Sequence, residues 1–109
     1  MIESTRIDDV MRALADPTRR AVFERIALSE EINVAELTRA SGVTQGAVSQ
    51  HLKLLKQAGL VVERPQGRKV FYRATPEGLG PLIDWLSHYD AFWRERFSNL
   101  RTLLKEIDP

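Results

Sequence analysis

The chain has 109 residues, 43% of them hydrophobic and 28% charged, which is the size and composition of one small globular domain. It contains no cysteine, and this excludes disulfides, thiolate metal sites and thiol redox sensing. The first residues lack the apolar core of a signal peptide, and no apolar run approaches the roughly 20 residues that a membrane span needs. We therefore expect a single cytoplasmic domain over residues 1–109, without membrane contact.

Charge is distributed unevenly along the chain, although the net charge is only +1. Residues 43–73 hold a single acid, Glu63, and carry a net charge of +5 from six basic side chains: Lys53, Lys56, Arg64, Arg68, Lys69 and Arg73. Residues 1–42 and 74–109 each carry −2. A basic middle between mildly acidic ends is typical of a surface that meets a phosphate backbone, and a solvated face is the plainer alternative.

Two helices are predicted at the start of the chain. Apolar residues at helical spacing indicate a first helix over about residues 7–15. Asp16 and Pro17 then fit the N-cap and the first position of a second helix, which continues to about Leu28. Residues 29–32 form a short connector.

A helix-turn-helix unit follows over residues 33–58. Asn33 and Glu36 match a capping box that begins the third helix. Gly42 suits a left-handed turn position, and Thr44 suits the N-cap of a fourth helix. Two helices joined by a short glycine turn are typical of DNA-binding units, although other proteins also contain them.

The next segment predicts a β-hairpin wing over residues 60–74. Two β-rich runs, 60–64 and 69–73, flank four turn-forming residues. A last helix is expected over residues 76–107, because nothing breaks the pattern after Leu82. The predicted fold is mainly α with a small β-hairpin: a winged helix-turn-helix with four helices, two strands and a final helix.

The fourth helix divides into two arcs on a helical wheel. The apolar arc holds Ala47, Val48, His51, Leu52, Leu54, Leu55 and Ala58. The polar arc holds Gln45, Gly46, Ser49, Gln50, Lys53, Lys56 and Gln57, and none of these is a carboxylate. Since an acid on this arc would repel phosphates, its absence favours a recognition helix over an ordinary solvated face.

Individual roles follow from the side chains. Gln45, Ser49 and Gln50 near the start of the helix are candidates for reading base edges, and Gly46 would let the backbone approach. Two further residues, Thr44 and Lys53, suit phosphate contacts.

The wing offers a second candidate contact, because Arg64, Arg68, Lys69 and Arg73 flank its tip. Arginine favours a narrow, negative minor groove, and a tip beside a recognition helix is placed to enter one. A solvated hairpin end is the plainer reading, and it applies to Arg73 in particular.

Nothing in the sequence indicates catalysis. There are two histidines, no cysteine and no glycine-rich phosphate loop. His51 lies on the apolar arc, where we expect a packed ring tied to a backbone group rather than a base reader. Ser49 projects elsewhere, so the two do not form a nucleophilic pair.

The final helix carries most of the aromatic side chains. Its apolar residues fall on two stripes, and a helix that is apolar on two sides needs two partners, its own core and a second subunit. We therefore expect a homodimer whose interface includes Leu82, Trp85, Tyr89, Phe92 and Trp93. Ligand binding by the aromatics is the alternative.

Four segments in order resemble the ArsR/SmtB family of winged-helix repressors. They are Ala13-Leu14-Ala15-Asp16-Pro17-Thr18-Arg19-Arg20, Val48-Ser49-Gln50-His51-Leu52-Lys53, Ala58-Gly59-Leu60-Val61 and Gly67-Arg68-Lys69-Val70-Phe71-Tyr72. The resemblance covers nearly the whole chain. It implies a homodimer joined through its first and last helices, which binds an inverted repeat in double-stranded DNA and represses transcription.

The sequence departs from the metal-sensing members of that family. Its third helix has no thiol, and Leu86, Phe97 and Leu100 stand where ligands on the last helix would be needed. Asp84 and His88 alone make a poor site. The chain is therefore similar to the metal-independent, autorepressor-like subset, with no cofactor, and a small-molecule or protein effector is left open.

One alternative function stays open. A winged helix can also serve as a protein-interaction module that does not bind DNA specifically, and salt-dependent retention on DNA would distinguish the two. An RNA-binding module is disfavoured, because the sequence lacks the exposed aromatic strand surface that such modules use.

Overall fold

A computed structural model describes the backbone from Ile2 to Ile107 and the side chains from Arg6 to Ile107. Its elements are α1 (Ile2–Ala15), α2 (Pro17–Leu28), β1 (Ile32–Asn33), α3 (Val34–Ser41), α4 (Gln45–Gln57), β2 (Val61–Gln66), β3 (Lys69–Ala74), a 3-10 helix (Pro76–Leu79), α5 (Gly80–Ser87) and α6 (Asp90–Ile107). The mainly α winged helix-turn-helix is confirmed. Within residues 2–107 no helix is both long enough and apolar enough to cross a membrane.

The predicted helix starts are confirmed by their caps. Asp16 and Thr44 each accept a hydrogen bond from the backbone N–H three residues on, at 2.9 and 3.1 Å. Asn33 and Glu36 form the reciprocal capping box. Gly42 has a φ of 73°, the left-handed conformation that ends α3. These local signals fix both ends of the turn that precedes α4.

The corner between α1 and α2 is held by arginines. Arg19 donates from its guanidinium to the carbonyls of Arg12 and Ala13, and Arg20 donates to the carbonyl of Leu14. These carbonyls belong to the last turn of α1, where helix geometry leaves them without backbone partners. Side chains of α2 therefore cap α1, which gives a structural reason for the paired arginines after Pro17.

The sheet has three strands rather than the two predicted, in the order β1-β3-β2. β1 is a two-residue strand formed by the last connector residue and the predicted N-cap of the third helix, and it pairs antiparallel with β3 through Ile32 opposite Tyr72 and Asn33 opposite Phe71. A strand this short has no periodicity of its own, so only its partner reveals it. β1 lays one edge of the sheet against the start of α3.

The wing turn is shorter than predicted. β2 continues through Pro65 to Gln66, which pairs with Lys69, so the turn consists of two residues instead of four. Pro65 is tolerated because β2 is an edge strand, where a missing N–H removes no ladder bond. Gly67 has a φ of 63° at the first turn position, where a type II′ hairpin turn requires glycine.

The core lies where α2, α4 and the base of the wing meet. On α4, Val48, Leu52 and Leu55 are at most 1% exposed. They belong to one apolar cluster with the buried face of α2, the start of the wing and residues from α1, β1 and α3: Val22, Phe23, Ile26, Leu60, Val61, Val10, Ala13, Ile32 and Leu37. Burial of the apolar arc of α4 turns its opposite arc to solvent.

The last helix is not continuous, which corrects the prediction of an unbroken helix from Leu82 to Ile107. It breaks at residues 88–89, between α5 and α6. There the Tyr89 N–H bonds to the Leu86 carbonyl three residues back, and the Ser87 hydroxyl bonds to the Asp84 carbonyl at 2.8 Å. Serine competes in this way with helical backbone bonds, and the weak helix propensities of residues 87–90 favour the break. No residue of α6 is buried.

The return from the wing depends on a close backbone contact at Gly78. A Cβ at this position would lie 2.2 Å from the carbonyl oxygen of Gly59, closer than any real contact. At Gly80, two residues on, a Cβ would meet nothing within 4 Å. The 3-10 helix can therefore sit against the end of α4 only with glycine at position 78.

We predict that Gly78→Ala lowers the free energy of unfolding by about 1–3 kcal/mol, because backbone must shift to admit the methyl group. Gly80→Ala is the matched control and should leave stability unchanged or slightly higher. Chemical denaturation of both variants measures the difference. Equal stabilities would show that the contact is not a packing constraint.

Candidate nucleic-acid interface

Burial divides α4 along the predicted arcs. Each of the seven residues assigned to the apolar arc is buried or half-buried, and each of the seven on the polar arc is exposed. The exposed arc runs the length of the helix and carries no acid. The arc therefore offers hydrogen-bonding groups and positive charge, which suit contact with bases and phosphates.

The residues predicted to contact DNA from this helix share the exposed arc and the N-terminal cap. They are Thr44, Gln45, Gly46, Ser49, Gln50 and Lys53, and all are exposed. Thr44 accepts the backbone N–H of Ala47 with its side-chain oxygen, which leaves the hydroxyl hydrogen available to a phosphate. Within residues 6–107 the side chains of Gln45, Ser49 and Gln50 form no hydrogen bond, so their donors and acceptors are available to a ligand.

Gly46 is not required by the fold. Its φ is not positive, and a Cβ there would meet no atom of the described chain within 4 Å. Glycine inside a helix costs about 1 kcal/mol relative to alanine. The chain therefore carries a destabilising residue at the exposed start of α4 for which its own packing gives no reason.

His51 departs from its prediction in one respect. The ring is half-buried on the apolar arc, as expected. Its Nδ1 is buried without a hydrogen-bond partner among the described residues, so the expected tie to a backbone group is wrong at this atom. The ring is therefore half-buried without a hydrogen bond at Nδ1 to any described residue.

Arg64 is engaged within the protein, unlike the free cation that its place in the wing suggested. Its guanidinium donates two hydrogen bonds to the carboxylate of Glu31, both at 2.7 Å, and a third to Gln66 at 3.0 Å. It also lies 5.1 Å from the centre of the Phe71 ring. The hydrogen bond from Arg64 lowers the pKa of Glu31, and the same contact raises the pKa of Arg64.

A second ion pair joins α4 to the wing. Lys56 near the end of α4 donates to the carboxylate of Glu63 in β2, which also accepts a hydrogen bond from the Tyr72 hydroxyl. The Lys56 hydrogen bond lowers the pKa of Glu63, and the same bond raises the pKa of Lys56. Burial, reinforced by the Glu63 charge, raises the pKa of Tyr72.

The free positive charge is therefore more concentrated than the sequence suggested. Of the six basic residues in the middle of the chain, Lys56 and Arg64 are paired with carboxylates. Within residues 6–107 the other four form no salt bridge, and all four are exposed: Lys53, Arg68, Lys69 and Arg73. Arg68 and Lys69 stand at the turn of the wing, so the exposed arc of α4 and the wing tip make up the candidate interface.

Glu31 and Phe71 were missed by the sequence analysis as partners of a wing residue. Glu31 lies 33 positions before Arg64 in a connector with no predicted element, so no local pattern links them. The only sequence signal was a pair of acids, Glu30 and Glu31, ahead of the basic segment, which is too common to interpret.

The predicted dimer residues lie mostly on an exposed apolar surface. Trp85, Tyr89, Phe92 and Trp93 are 42–48% exposed. Leu82 differs, because it is half-buried and packs against the domain's own core. Trp93 stacks on Phe97 and meets Phe92 edge to face, at centroid distances of 6.0 and 5.1 Å. The described chain leaves this surface without a partner.

A tetrahedral metal site in a protein without cysteine needs several histidine, aspartate or glutamate side chains close together. Within the described residues no three histidine, aspartate or glutamate side chains come together in a group that could hold an ion. Among the described residues Asp84 and His88 belong to no such group, and two ligands do not complete a tetrahedral zinc site.

Comparison with known proteins agrees with this geometry. The sequence model of a family described as a helix-turn-helix domain matches residues 14–64. The chain is 43% identical over 97 residues to an HTH-type transcriptional regulator of Mycobacterium tuberculosis, covering 89% of this chain and 87% of that protein. It is 36% identical over 99 residues to the arsenical resistance operon repressor of Escherichia coli, covering 90% and 81%.

Solved structures show the same architecture. The crystal structure of an ArsR family transcriptional regulator superposes with a TM-score of 0.73 and 26% sequence identity, covering 84% of this chain and 93% of that one. The chain therefore belongs to the ArsR family of winged-helix transcriptional regulators.

Proposed function

We propose that the protein is a homodimeric repressor, and that each subunit inserts the start of α4 into the major groove of an inverted-repeat operator. In this proposal Gln45, Ser49 and Gln50 read base edges, and Thr44 and Lys53 contact phosphates. The wing tip, Arg68 and Lys69, enters the adjacent minor groove.

One observation carries this proposal: the exposed arc of α4 is free of carboxylates, and Arg68 and Lys69 at the wing tip form no salt bridge within residues 6–107. Phosphate contacts dominate the affinity of proteins for DNA, and a single acid on this surface would oppose them. Glu31 beside the sheet and Glu63 in β2 are each bound to a basic side chain. Neither of these two carboxylates is therefore free to oppose a phosphate.

Support for a dimer comes from α6. Its apolar residues fall within one arc of about 140° on a 100°-per-residue wheel, where the sequence analysis expected two stripes along one long helix. The only charged side chain within this arc is Arg96, which lies over the Phe92 ring. The arc contains Phe92, Trp93, Phe97, Leu100, Leu103, Leu104 and Ile107, and all are exposed in a single subunit. Soluble monomers rarely expose so large an apolar patch, so we infer that a second copy covers it.

The remaining parts of the proposal follow from DNA binding and dimerisation. A two-fold dimer would hold two α4 helices near one helical turn of DNA apart, roughly 34–36 Å or a multiple of it. We infer action in the bacterial cytoplasm, with nucleoid association when the operator is bound.

We propose that regulation does not use a metal. Stoichiometric tight zinc binding in calorimetry, lost in His88→Ala, would contradict this.

Gly46→Ala should change stability and DNA binding in opposite directions. We expect the free energy of unfolding to rise by about 0.5–1 kcal/mol, because alanine favours the helix. Operator binding should weaken by about 1–3 kcal/mol, because the methyl group enters a close contact with DNA. Denaturation and fluorescence anisotropy measure the two effects. The control Gly80→Ala lies outside α4 and the wing and should bind the operator with full affinity. If Gly46→Ala also bound with wild-type affinity, the start of α4 would not be in close contact with DNA.

Replacing Arg68 and Lys69 by alanine should weaken binding to every DNA sequence and flatten its salt dependence. The slope of log affinity against log salt should fall by about two units, since each lost phosphate contact removes about 0.9. Alanine at Arg101 and Lys105, on the polar side of α6, removes the same charge away from the interface and should leave the slope unchanged. Equal slopes for both pairs would exclude the wing tip, and no salt-dependent binding at all would favour the protein-interaction module.

Phe92→Glu should produce monomers that bind the operator poorly, because it puts a charge on the apolar arc of α6. Ser98→Glu, on the polar side of the same helix, is the matched control and should remain dimeric. Sedimentation velocity and operator titration test both variants. A wild-type monomer at micromolar concentration, or a monomeric variant with full operator affinity, would contradict the proposed assembly.

A further inference from the structure

The wing carries a device formed by Glu31, Arg64, Gln66 and Phe71, called here the wing brace. We propose that the wing brace sets the direction of the wing tip toward DNA, so that Arg64 is a positioning residue and not itself a phosphate contact. The inference rests on the proposed DNA interface and concerns how that interface is held in place.

The position of the brace in the sheet is the first argument. The strand order is β1-β3-β2, with Glu31 immediately before β1 and Arg64 in β2. Phe71 in the middle strand is the register partner of both Asn33 and Arg64. Arg64 therefore reaches over the Phe71 ring from one outer strand to the residue at the head of the other. The brace links both edges of the sheet.

The second argument is where the third strand stops. β1 pairs with β3 only at Phe71 and Tyr72. Beyond this point toward the tip, the wing is a two-stranded ribbon held by the pairs Pro65 with Val70 and Gln66 with Lys69. An isolated two-stranded hairpin is marginally stable in water. The brace grips the ribbon where its support from the third strand ends, and Arg68 lies only four residues beyond Arg64.

The third argument is the geometry of the guanidinium. A bidentate arginine–carboxylate pair fixes direction as well as distance, and its planar fork can stack on an aromatic ring at the same time. Arg64 makes both contacts and adds a hydrogen bond to Gln66, which adjoins the turn. The Arg64 side chain thus has three contacts, one each from the connector, β2 and β3. These contacts favour a fixed orientation of Arg64 over a mobile side chain that binds phosphate.

Two interpretations of the Glu31–Arg64 pair predict opposite changes in DNA affinity when Glu31 is replaced. If Arg64 bound phosphate and Glu31 only competed for it, Glu31→Gln would free a cation and strengthen DNA binding. If the brace positions the wing, the same substitution releases the ribbon and weakens binding, although it removes a negative charge from a protein that binds a polyanion. The substitution Arg64→Lys separates the readings again, because it keeps the charge but loses the fork.

The experiment compares full-length Glu31→Gln and Arg64→Lys with the control Glu30→Gln, which removes the same charge one residue away. Binding is titrated over a range of salt on a labelled duplex recovered from genomic fragments by the wild-type protein. Both brace variants should lose affinity about two- to thirtyfold, the range of couplings transmitted through contact networks, while Glu30→Gln does not. Hydrogen exchange of the wing amides should accelerate in the brace variants alone.

A double-mutant cycle with the wing tip completes the test. In the Arg68→Ala, Lys69→Ala background, Glu31→Gln should have no further effect, because the tip it positions has lost its contacts. Equal or tighter binding by Glu31→Gln, an additive loss in that background, or unchanged exchange would overturn the brace while leaving the interface intact. Wild-type affinity of the Arg68→Ala, Lys69→Ala variant would instead overturn the wing contact, and the brace's role with it.

Discussion

The surface that this protein turns to solvent depends on the packing of α4 against α2. Val48, Leu52 and Leu55 are almost completely buried in one cluster with Val22 and Ile26. A helix seated by three residues at i, i+4 and i+7 cannot rotate about its axis without exposing them, and this fixes which residues face outward. The candidate base readers therefore owe their direction to apolar contacts on the opposite side of the same helix.

The positive charge available at the surface is what remains after some basic side chains have paired with carboxylates of the same chain. The formal excess of positive charge in residues 43–73 includes two cations that serve within the chain, one joining α4 to β2 and one crossing the sheet. Exposed ion pairs contribute little to stability by themselves, but they restrict orientation. Pairing thus gives the basic segment two tasks: some of its cations shape the wing, and the others remain available at its surface.

Local signals in the sequence predicted what is locally determined. The caps at Asp16, Asn33 and Thr44, the turn at Gly42 and the two arcs of α4 depend on neighbours within a few residues, and the structure has them as expected. The features that sequence reasoning missed depend on distant partners. β1 exists only through β3, Glu31 binds a residue 33 positions away, and Gly78 is required by the backbone of Gly59. The helix break near His88 is an exception, because propensity hinted at it and the long apolar pattern concealed it.

The break before α6 has a thermodynamic consequence. A helix of 18 residues with no buried side chain in its own subunit gains little from folding alone, since most helix stability in proteins comes from the tertiary packing of an apolar face. If α6 acquires its packing from a second copy, its ordering and the association of two chains become one equilibrium. The midpoint of thermal unfolding then rises with protein concentration, and the number of chains in the cell sets how much of the regulator is folded at its C-terminal end.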